Sequence, residues 1–408
     1  MQLIKQLFSI FAFLYASILY ASPLQNAIDG AKDGSILTLN PGIYEGNIVI
    51  DKPLTIVGKE AGVVIKGSGI GSVIKIKSSY VTLKNLRVTH SGNRHDTLDS
   101  AISLVKAKDC EINGLTIDDT LFGIDTQMMS NSKIINNYIT SKNSPIGLRG
   151  DGIRLWYSND NLIKNNHLYK SRDMVVWYSH NNKIISNIAQ YCRYSLHFMH
   201  AGKNYVKDNR FEFNSVGLFL MYSIDTVVSN NIIKSSLGPT GMGIGLKDAS
   251  NITIENNTVI YNAQGLYIDR SPFEPDSKNH IVNNKIFYNS EAIHFHSLSE
   301  NNQITKNSFK GNIEDVINDS IDVKTHKNYF SENYYDRYEG FDRNRDNIGD
   351  APHKEYQYAD KLWLYNADVK FFYGSPVISF LNFLAKLAPF SEPLFLFEDK
   401  KPLLSEKG

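Results

Sequence analysis

A recurring pair of turn residues, usually Asn-Asn, constrains the fold of this chain more than any other feature. The chain contains 41 Asn among 408 residues, almost as many as its 42 Asp and Glu residues together. The second residue of the pair falls at Asn137, Asn166, Asn187, Asn209, Asn231, Asn257, Asn284 and Asn307. The intervals are 29, 21, 22, 22, 26, 27 and 23 residues. A period near 22 with occasional insertions is typical of a solenoid whose coils stack on one another.

The segments between these turns alternate apolar and polar residues, as in residues 251–255 (Asn-Ile-Thr-Ile-Glu). Alternation of this kind indicates strands. A leucine-rich repeat has a similar period, but it needs Leu at fixed positions and a helical element, whereas these coils are rich in Ile and Val. We therefore predict an all-β fold, a right-handed parallel β-helix of roughly 13 coils. The second Asn is expected to take the left-handed turn and to ladder its amide with the Asn one coil away.

The two ends of the chain carry different signals. Residues 1–21 combine a positive start, an apolar run and a small-residue end, which predicts a signal peptide, with an uncleaved anchor as the alternative. The β-helix is expected over 22–330, opened by a cap helix near residues 23–32. A capping loop rich in Asn, Asp and Tyr follows over 331–360, and an amphipathic tail over 361–408 includes a helix from Ser375 to Leu387. Export would place the mature protein outside the cytoplasm.

Charge and cysteine content exclude several classes of protein. The net charge is +1, from 43 Lys and Arg against 42 Asp and Glu, with no basic block, which argues against a nucleic-acid-binding protein. The two cysteines, Cys110 and Cys192, are too few for a disulfide framework or a four-thiolate zinc site. They fall several coils apart, so we expect two free thiols. Any metal site must therefore use His, Met or carboxylates.

A second series of strands alternates between inward apolar residues and two outward columns. One column runs Arg154, Val175, His197, Phe219, Gly245, Tyr267, His294, and its neighbour runs Trp156, Trp177, Met199, Met221, Lys247, Asp269, His296. Contiguous rows of outward aromatic and Met side chains are typical of a binding surface. The predicted partner-binding residues are Trp156, Trp177, Phe219, Tyr267, His294 and His296.

The same face suggests a metal site. Met199 and Met221 should stack in adjacent coils, with His197 and His200 close by. Thioether and imidazole are soft ligands that suit Cu(I), so the sequence predicts transient copper binding at these four residues. The alternative is that a loop or a partner protein covers this face without any metal.

A carbohydrate-active enzyme would use such a face differently, through clustered carboxylates with Arg or Lys. The nearest candidates are Asp248, Asp269 and Arg270, with Arg149 and Asp151 several coils away. A cross-strand ion pair between Asp248 and Arg270 explains that cluster without catalysis. We therefore assign no catalytic residue.

The segment after the coils resembles a calcium-binding loop in part. Asp342, Asn344, Asp346 and Asp350 occupy the first, third, fifth and ninth places of such a loop. His353 stands where the closing Glu belongs, so a structural calcium site and a plain Asx-rich loop are both compatible with the sequence.

Several of these segments together resemble the NosD family, the periplasmic maturation proteins of nitrous oxide reductase. They are the opening from Asp33 to Gly58, the Asn-laddered coils, and the loop ending Gly-Asp350-Ala-Pro. The most specific are the rows Arg-Leu-Trp-Tyr-Ser, Leu-His-Phe-Met-His and Leu-Phe-Leu-Met-Tyr-Ser. The resemblance covers nearly the whole chain and departs from the family at Tyr335, Asn344 and Asn347.

The resemblance implies a non-enzymatic periplasmic subunit, tethered to the membrane through an ABC transporter. Its implied partners are a membrane permease, a cytoplasmic ATPase, a copper chaperone lipoprotein and nitrous oxide reductase, during assembly of the copper-sulfur cluster. The chain has no Gly-rich phosphate loop ending in Gly-Lys-Ser/Thr, which assigns ATP hydrolysis to a partner. The tail would dock on the permease or lie at the membrane surface, with packing on the coils as the alternative. The competing function is a secreted polysaccharide lyase or epimerase on the same fold.

Overall fold

The computed structural model is a parallel β-helix, as predicted. It describes residues 22–319, 327–358, 366–372, 375–387 and 393–406, so the predicted signal peptide over residues 1–21 lies outside the described residues. Each coil adds one strand to each of three sheets, which contain 15, 13 and 12 strands. These numbers agree with the roughly 13 coils expected from the repeat.

The strands of each sheet follow one another along the stack. Sheet A contains Ser35–Leu39, Leu54–Gly58, Val81–Lys84, Glu111–Asn113, Lys133–Ile135, Leu162–Lys164, Lys183–Ile185, Tyr205–Lys207, Val227–Ser229, Thr253–Glu255, Asn279–Val282, Asn302–Thr305, Tyr329–Ser331, Leu394–Asp399 and His353–Gln357. Sheet B contains Gly42–Glu45, Val63–Lys66, Arg87–Thr89, Thr116–Thr120, Tyr138–Ser141, His167–Tyr169, Ile188–Gln190, Arg210–Glu212, Ile232–Lys234, Thr258–Ile260, Lys285–Phe287, Ser308–Lys310 and Tyr334–Tyr335. Sheet C contains Ile48–Ile50, Ile74–Ile76, Ser100–Val105, Phe122–Gln127, Ile153–Trp156, Asp173–Trp177, Tyr194–Met199, Val216–Met221, Met242–Lys247, Gln264–Asp269, Glu291–His296 and Glu314–Asn318.

The second Asn of the pair was expected both to take the left-handed turn and to form the amide ladder. In the structure, the two residues of the pair each take one of these roles. The first residue takes the left-handed conformation, with φ of 56° at Asn230. The second residue is buried and builds the ladder: Asn209 Nδ2 donates to Asn231 Oδ1 at 2.9 Å and to the Ile184 carbonyl at 2.9 Å. The other two corners of the coil carry shorter ladders, Asn161–Asn182–Asn204 and Asn262–Asn289–Asn312. The buried amides of these ladders are thus paired with one another, which burial requires.

The first coil is closed by the helix Pro23–Gly30, whose N-cap Ser22 accepts a hydrogen bond from the Gln25 amide at 3.2 Å. Leu24 and Ile28 of this helix are buried in the core. Cys110 and Cys192 are free and buried, as predicted. Burial raises the pKa of the Cys192 thiol to about 12, so this sulfur is not a reactive thiolate.

The tail divides into two parts with different surroundings. Strand Leu394–Asp399 joins sheet A and pairs antiparallel with His353–Gln357, so this part packs on the coils. A 3₁₀ helix at Ala367–Phe372 and the helix Pro376–Leu387 precede it; another 3₁₀ turn, Ile146–Leu148, lies between sheets B and C. Within the described residues, no helix combines the length and the apolar content that crossing a membrane requires.

Candidate metal- and partner-binding face

The register of sheet C confirms both predicted outward columns. Trp156 lies opposite Trp177, Trp177 opposite Met199, and Met199 opposite Met221. The neighbouring column passes through His197 and Phe219, and both columns continue to the strand Glu291–His296. Parallel in-register pairing therefore places like positions of successive coils about 4.8 Å apart.

A cavity of about 350 Å³ opens on this face and is lined by His197, Met199 and Trp177, among others. His197 Nε2 and Trp177 Nε1 are buried there without a hydrogen-bond partner among the described residues. Burial lowers the pKa of His197 below its usual value, because desolvation disfavours the charged ring. The imidazole is therefore neutral at pH 7, and its unpaired nitrogen can serve as a metal ligand.

Charged residues also line this cavity. Arg172 Nε donates to Asp151 Oδ1 at 3.0 Å, and Arg193 Nε donates to Asp173 Oδ1 at 3.1 Å. Burial raises the pKa of Asp151 to about 7, with the neighbouring charge of Asp173 adding to the shift and Arg172 opposing it. Of the residues in this network, only Asp151 was singled out from the sequence. The sequence feature that could have predicted the network is the recurrence of Arg at 172 and 193, which are equivalent positions in successive coils.

The structure separates His200 from the other three predicted copper ligands. His200 occupies a left-handed corner, with φ of 48°. Its ring stacks between Tyr178, at 5.0 Å between centroids, and Tyr222, at 4.7 Å, and Tyr157 extends this stack. His197 and Met199 thus share the cavity with Met221 beside them, while His200 belongs to an exposed aromatic stack at the edge of the sheet.

Two predicted partner-binding residues, Phe219 and His294, point outward but are buried, so they do not offer the exposed surface that we expected of the outward columns. Phe219 is 8% exposed because its ring lies over Gly245 and against His197. His294 is 1% exposed because the carboxylates of neighbouring residues and the Tyr267 ring enclose it. The remaining four residues of that set, Trp156, Trp177, Tyr267 and His296, are partly exposed.

The carboxylates considered for catalysis are held in ion pairs. Arg270 donates to Asp248 Oδ2 at 2.8 Å, which is the predicted cross-strand pair, and Lys247 Nζ lies 2.6 Å from Asp269 Oδ2. Arg149 donates to the Ser144 carbonyl at 2.7 Å.

In the capping loop, the side chains predicted to bind calcium accept hydrogen bonds from the loop's own amides. Asp342 accepts from Arg345 at 2.6 Å and from Asn347 at 2.8 Å. Asp350 accepts from Arg343, Asp346 accepts from Ile348, and Asn344 donates to Asp346. This is the geometry of an Asx-rich loop, and calcium binding stays a prediction.

Comparison with known proteins places this geometry in a family. A family described as periplasmic copper-binding protein (NosD) matches residues 135–340, just over half of the 408-residue chain. A probable ABC transporter binding protein NosD from Pseudomonas aeruginosa is 29% identical over 382 residues, covering 86% of this chain and 84% of that protein. A protein of the same description from Stutzerimonas stutzeri is 27% identical over 412 residues, covering 90% of this chain and 88% of its own.

Solved structures of similar shape include polysaccharide-modifying enzymes. The A-module of the mannuronan C-5 epimerase AlgE6 from Azotobacter vinelandii aligns with a TM-score of 0.57 at 14% identity, covering 75% of this chain and 93% of that module. At this identity the likeness shows the fold alone. The family match spans both columns, most of the residues that line the cavity, and the first ten residues of the capping loop. This chain therefore belongs to the NosD family of periplasmic copper-binding proteins.

Proposed function

We propose that this chain is the periplasmic subunit of an ABC-transporter complex required to assemble the copper-sulfur cluster of nitrous oxide reductase. The family description and the names of the relatives support a periplasmic, binding or accessory role. A membrane permease tethers the subunit, and a cytoplasmic ATPase supplies the energy. The subunit docks a copper chaperone lipoprotein and the reductase in turn.

Copper(I) is the cargo of this relay, and the unpaired His197 Nε2 is the observation that carries the proposal. A buried ring nitrogen without a partner is costly unless a ligand occupies it. Met199 shares the cavity, and register places Met221 beside Met199. A neutral imidazole with two thioethers is a soft donor set that fits Cu(I). His200, in the neighbouring corner, would receive the ion at the exposed edge.

The partly exposed aromatic residues Trp156, Trp177 and Tyr267 form the proposed docking surface for the chaperone and the reductase. Arg154 lies over Trp156 at 5.5 Å and over Trp177 at 6.0 Å, and it pairs with buried Asp125 at 2.7 Å. This pairing holds the two indoles in one orientation, and rigid aromatic groups are favoured at binding hot spots.

Titration of the purified full chain with Cu(I) under anaerobic conditions tests the relay. Wild type should bind copper at the cavity, and Met199→Ala/Met221→Ala should lose that equivalent, because an imidazole alone leaves the ion under-coordinated. Met128→Ala, which removes a half-exposed Met at a corner of another coil, is the matched control. Unchanged stoichiometry in the double variant would refute the site.

Deletion of the gene tests the wider role. Cells should accumulate nitrous oxide and contain copper-deficient reductase, and the double Met variant should reproduce part of this defect. Normal reductase activity in the deletion strain would reject the maturation role and favour the alternative, a secreted polysaccharide lyase or epimerase.

A further inference from the structure

A second cluster of ligand-type side chains lies near the C-terminal end of sheet C, away from the cavity. His294 and His296 alternate on the strand Glu291–His296 and so project from the same face. Asp319 follows the next strand, Glu314–Asn318, and reaches back to both rings. Four strand-to-strand steps separate His197 from His294. At ~4.8 Å per step the two places are about 19 Å apart.

The atoms of this cluster converge on one point. His294 Nε2 lies 3.0 Å from Asp319 Oδ2, and His296 Nδ1 lies 2.9 Å from Asp319 Oδ1 and 2.8 Å from Oδ2. Within the described residues, this is the one group of three or more His, Cys, Asp or Glu side chains whose ligand atoms all lie within 4.8 Å of one another. A carboxylate can only accept, so each ring nitrogen that faces Asp319 must either carry a proton or share a bound cation with it.

A further carboxylate orients the buried ring. Glu291 Oε2 lies 2.5 Å from His294 Nδ1, and the Gln264 side-chain amide donates to the same oxygen at 2.8 Å. When a metal ion displaces the proton from His294 Nε2, the remaining proton lies on Nδ1 facing Glu291, and the Nε2 lone pair points toward the ion beside Asp319. A metal-binding His typically donates its other nitrogen to a carboxylate in this way, which fixes the tautomer and the ring orientation.

We propose that His294, His296 and Asp319 form a site for a divalent transition-metal ion of the zinc or copper(II) class, with Glu291 as the positioning residue. Two imidazoles and one carboxylate suit these ions, whereas Cu(I) prefers sulfur. His294 is buried and preorganised, and the 43% exposed side chain of His296 leaves a side open for the ion and for a water ligand. This assignment replaces the expected partner contact at the two histidines and does not depend on the proposed maturation role.

The site is tested with Zn²⁺ as the probe, by calorimetric titration of the full chain in a buffer that does not bind metal. We expect one equivalent of zinc per chain and a higher melting temperature with zinc. His296→Ala and Asp319→Asn should each weaken binding at least tenfold. Glu291→Gln should weaken it about tenfold through loss of ring orientation. Asp319 is partly exposed and lies just past a strand, so Asp319→Asn should fold like wild type. This variant therefore tests the site even if another variant does not fold.

His90→Ala is the matched control, because His90 Nδ1 also faces a carboxylate, Asp119 Oδ2, at 3.0 Å, in a pair without a second histidine. This variant should bind zinc like wild type. Absence of zinc binding, or wild-type affinity in both His296→Ala and Asp319→Asn, would overturn the proposal. His296→Ala should also keep Cu(I) uptake, and Met199→Ala/Met221→Ala should keep the zinc equivalent, so failure of one site is distinguishable from failure of the other.

Discussion

Asp151 shows how a single residue of the cavity depends on its surroundings. The side chain is buried beside the ion pair of Arg193 with Asp173, and Arg172 is its own ion-pair partner. Desolvation outweighs that partner and raises the pKa of Asp151 to about 7 from its ordinary value of 3.8. Between these two pH values the folded protein holds a proton that the unfolded chain has released.

This proton determines the sign of a pH effect. Because the folded pKa is raised, the contribution of Asp151 to stability is full below about pH 4 and is lost as the pH rises toward 7. Asp151→Asn keeps an oxygen acceptor for Arg172 but cannot titrate, so the variant should gain stability relative to wild type as the pH rises over this window. The free energy of unfolding in urea, measured from pH 4 to 8, checks this. Asp160→Asn, at an exposed carboxylate, is the control. A difference in stability between Asp151→Asn and wild type that does not change with pH would contradict the prediction.

At the scale of one element, the helix Pro376–Leu387 presents an apolar stripe to solvent. Val377, Phe380, Phe383 and Leu387 are 56% to 69% exposed and follow helical spacing. Ser375 Oγ caps the helix by accepting from the Ile378 amide at 3.3 Å. The helix is 12 residues long, too short to span a bilayer, and an exposed apolar stripe typically marks an interaction site. We therefore propose that this stripe docks on the permease.

Phe380→Ser/Phe383→Ser should weaken docking of the otherwise folded chain. Two exposed aromatic rings supply much of the stripe's apolar area, and their loss should lower co-purification with the permease at least tenfold. Phe273→Ser removes a ring of similar exposure, 61%, from a loop of the coils and is the control. Equal recovery of permease with the double variant and with wild type would exclude this helix as the docking element.

At the scale of the whole molecule, the stack of coils must be closed at both ends, because an open coil exposes its apolar core. Phe397, which comes from the far end of the chain, is 1% exposed and stacks on Phe330 at 4.3 Å and on Tyr335 at 5.7 Å. Asp399 ends the Asn ladder by accepting from Asn333 Nδ2 at 2.9 Å. The last strand therefore substitutes for the next coil in both the apolar and the polar contacts.

Phe397→Ala should destabilise the protein by about 3 to 5 kcal/mol, the usual cost of removing a buried aromatic side chain. Phe395→Ala, on the same strand but partly exposed, should cost clearly less. Urea unfolding midpoints of the two variants check the ranking. Equal midpoints would show that the cap is not closed by Phe397.

The residues of the coils show where sequence reasoning succeeds. Register follows from the repeat, so the pairing of Met199 with Met221 could be predicted without coordinates. Side-chain burial could not, since Phe219 and His294 alternate outward like exposed residues but are covered by their neighbours. The sequence also could not show which residue of each Asn pair takes the left-handed conformation and which is buried in the ladder. Both residues are usually Asn, and the alternation of hydrophobic residues does not distinguish them.

The sequence by itself therefore determined the β-helix, its outward columns and the family. The same pattern of alternating strand residues and Asn turns recurs in successive coils, so each of them supports the same assignment. The tertiary structure alone decided what converges between coils: the unpaired His197 Nε2, the carboxylates that line the same cavity, and the meeting of His294 and His296 with Asp319. The hydrogen bonds of these clusters join residues 20 to 25 positions apart in the chain. The distances between these side-chain atoms depend on rotamers and on insertions between coils, and a repeat pattern contains no information on either.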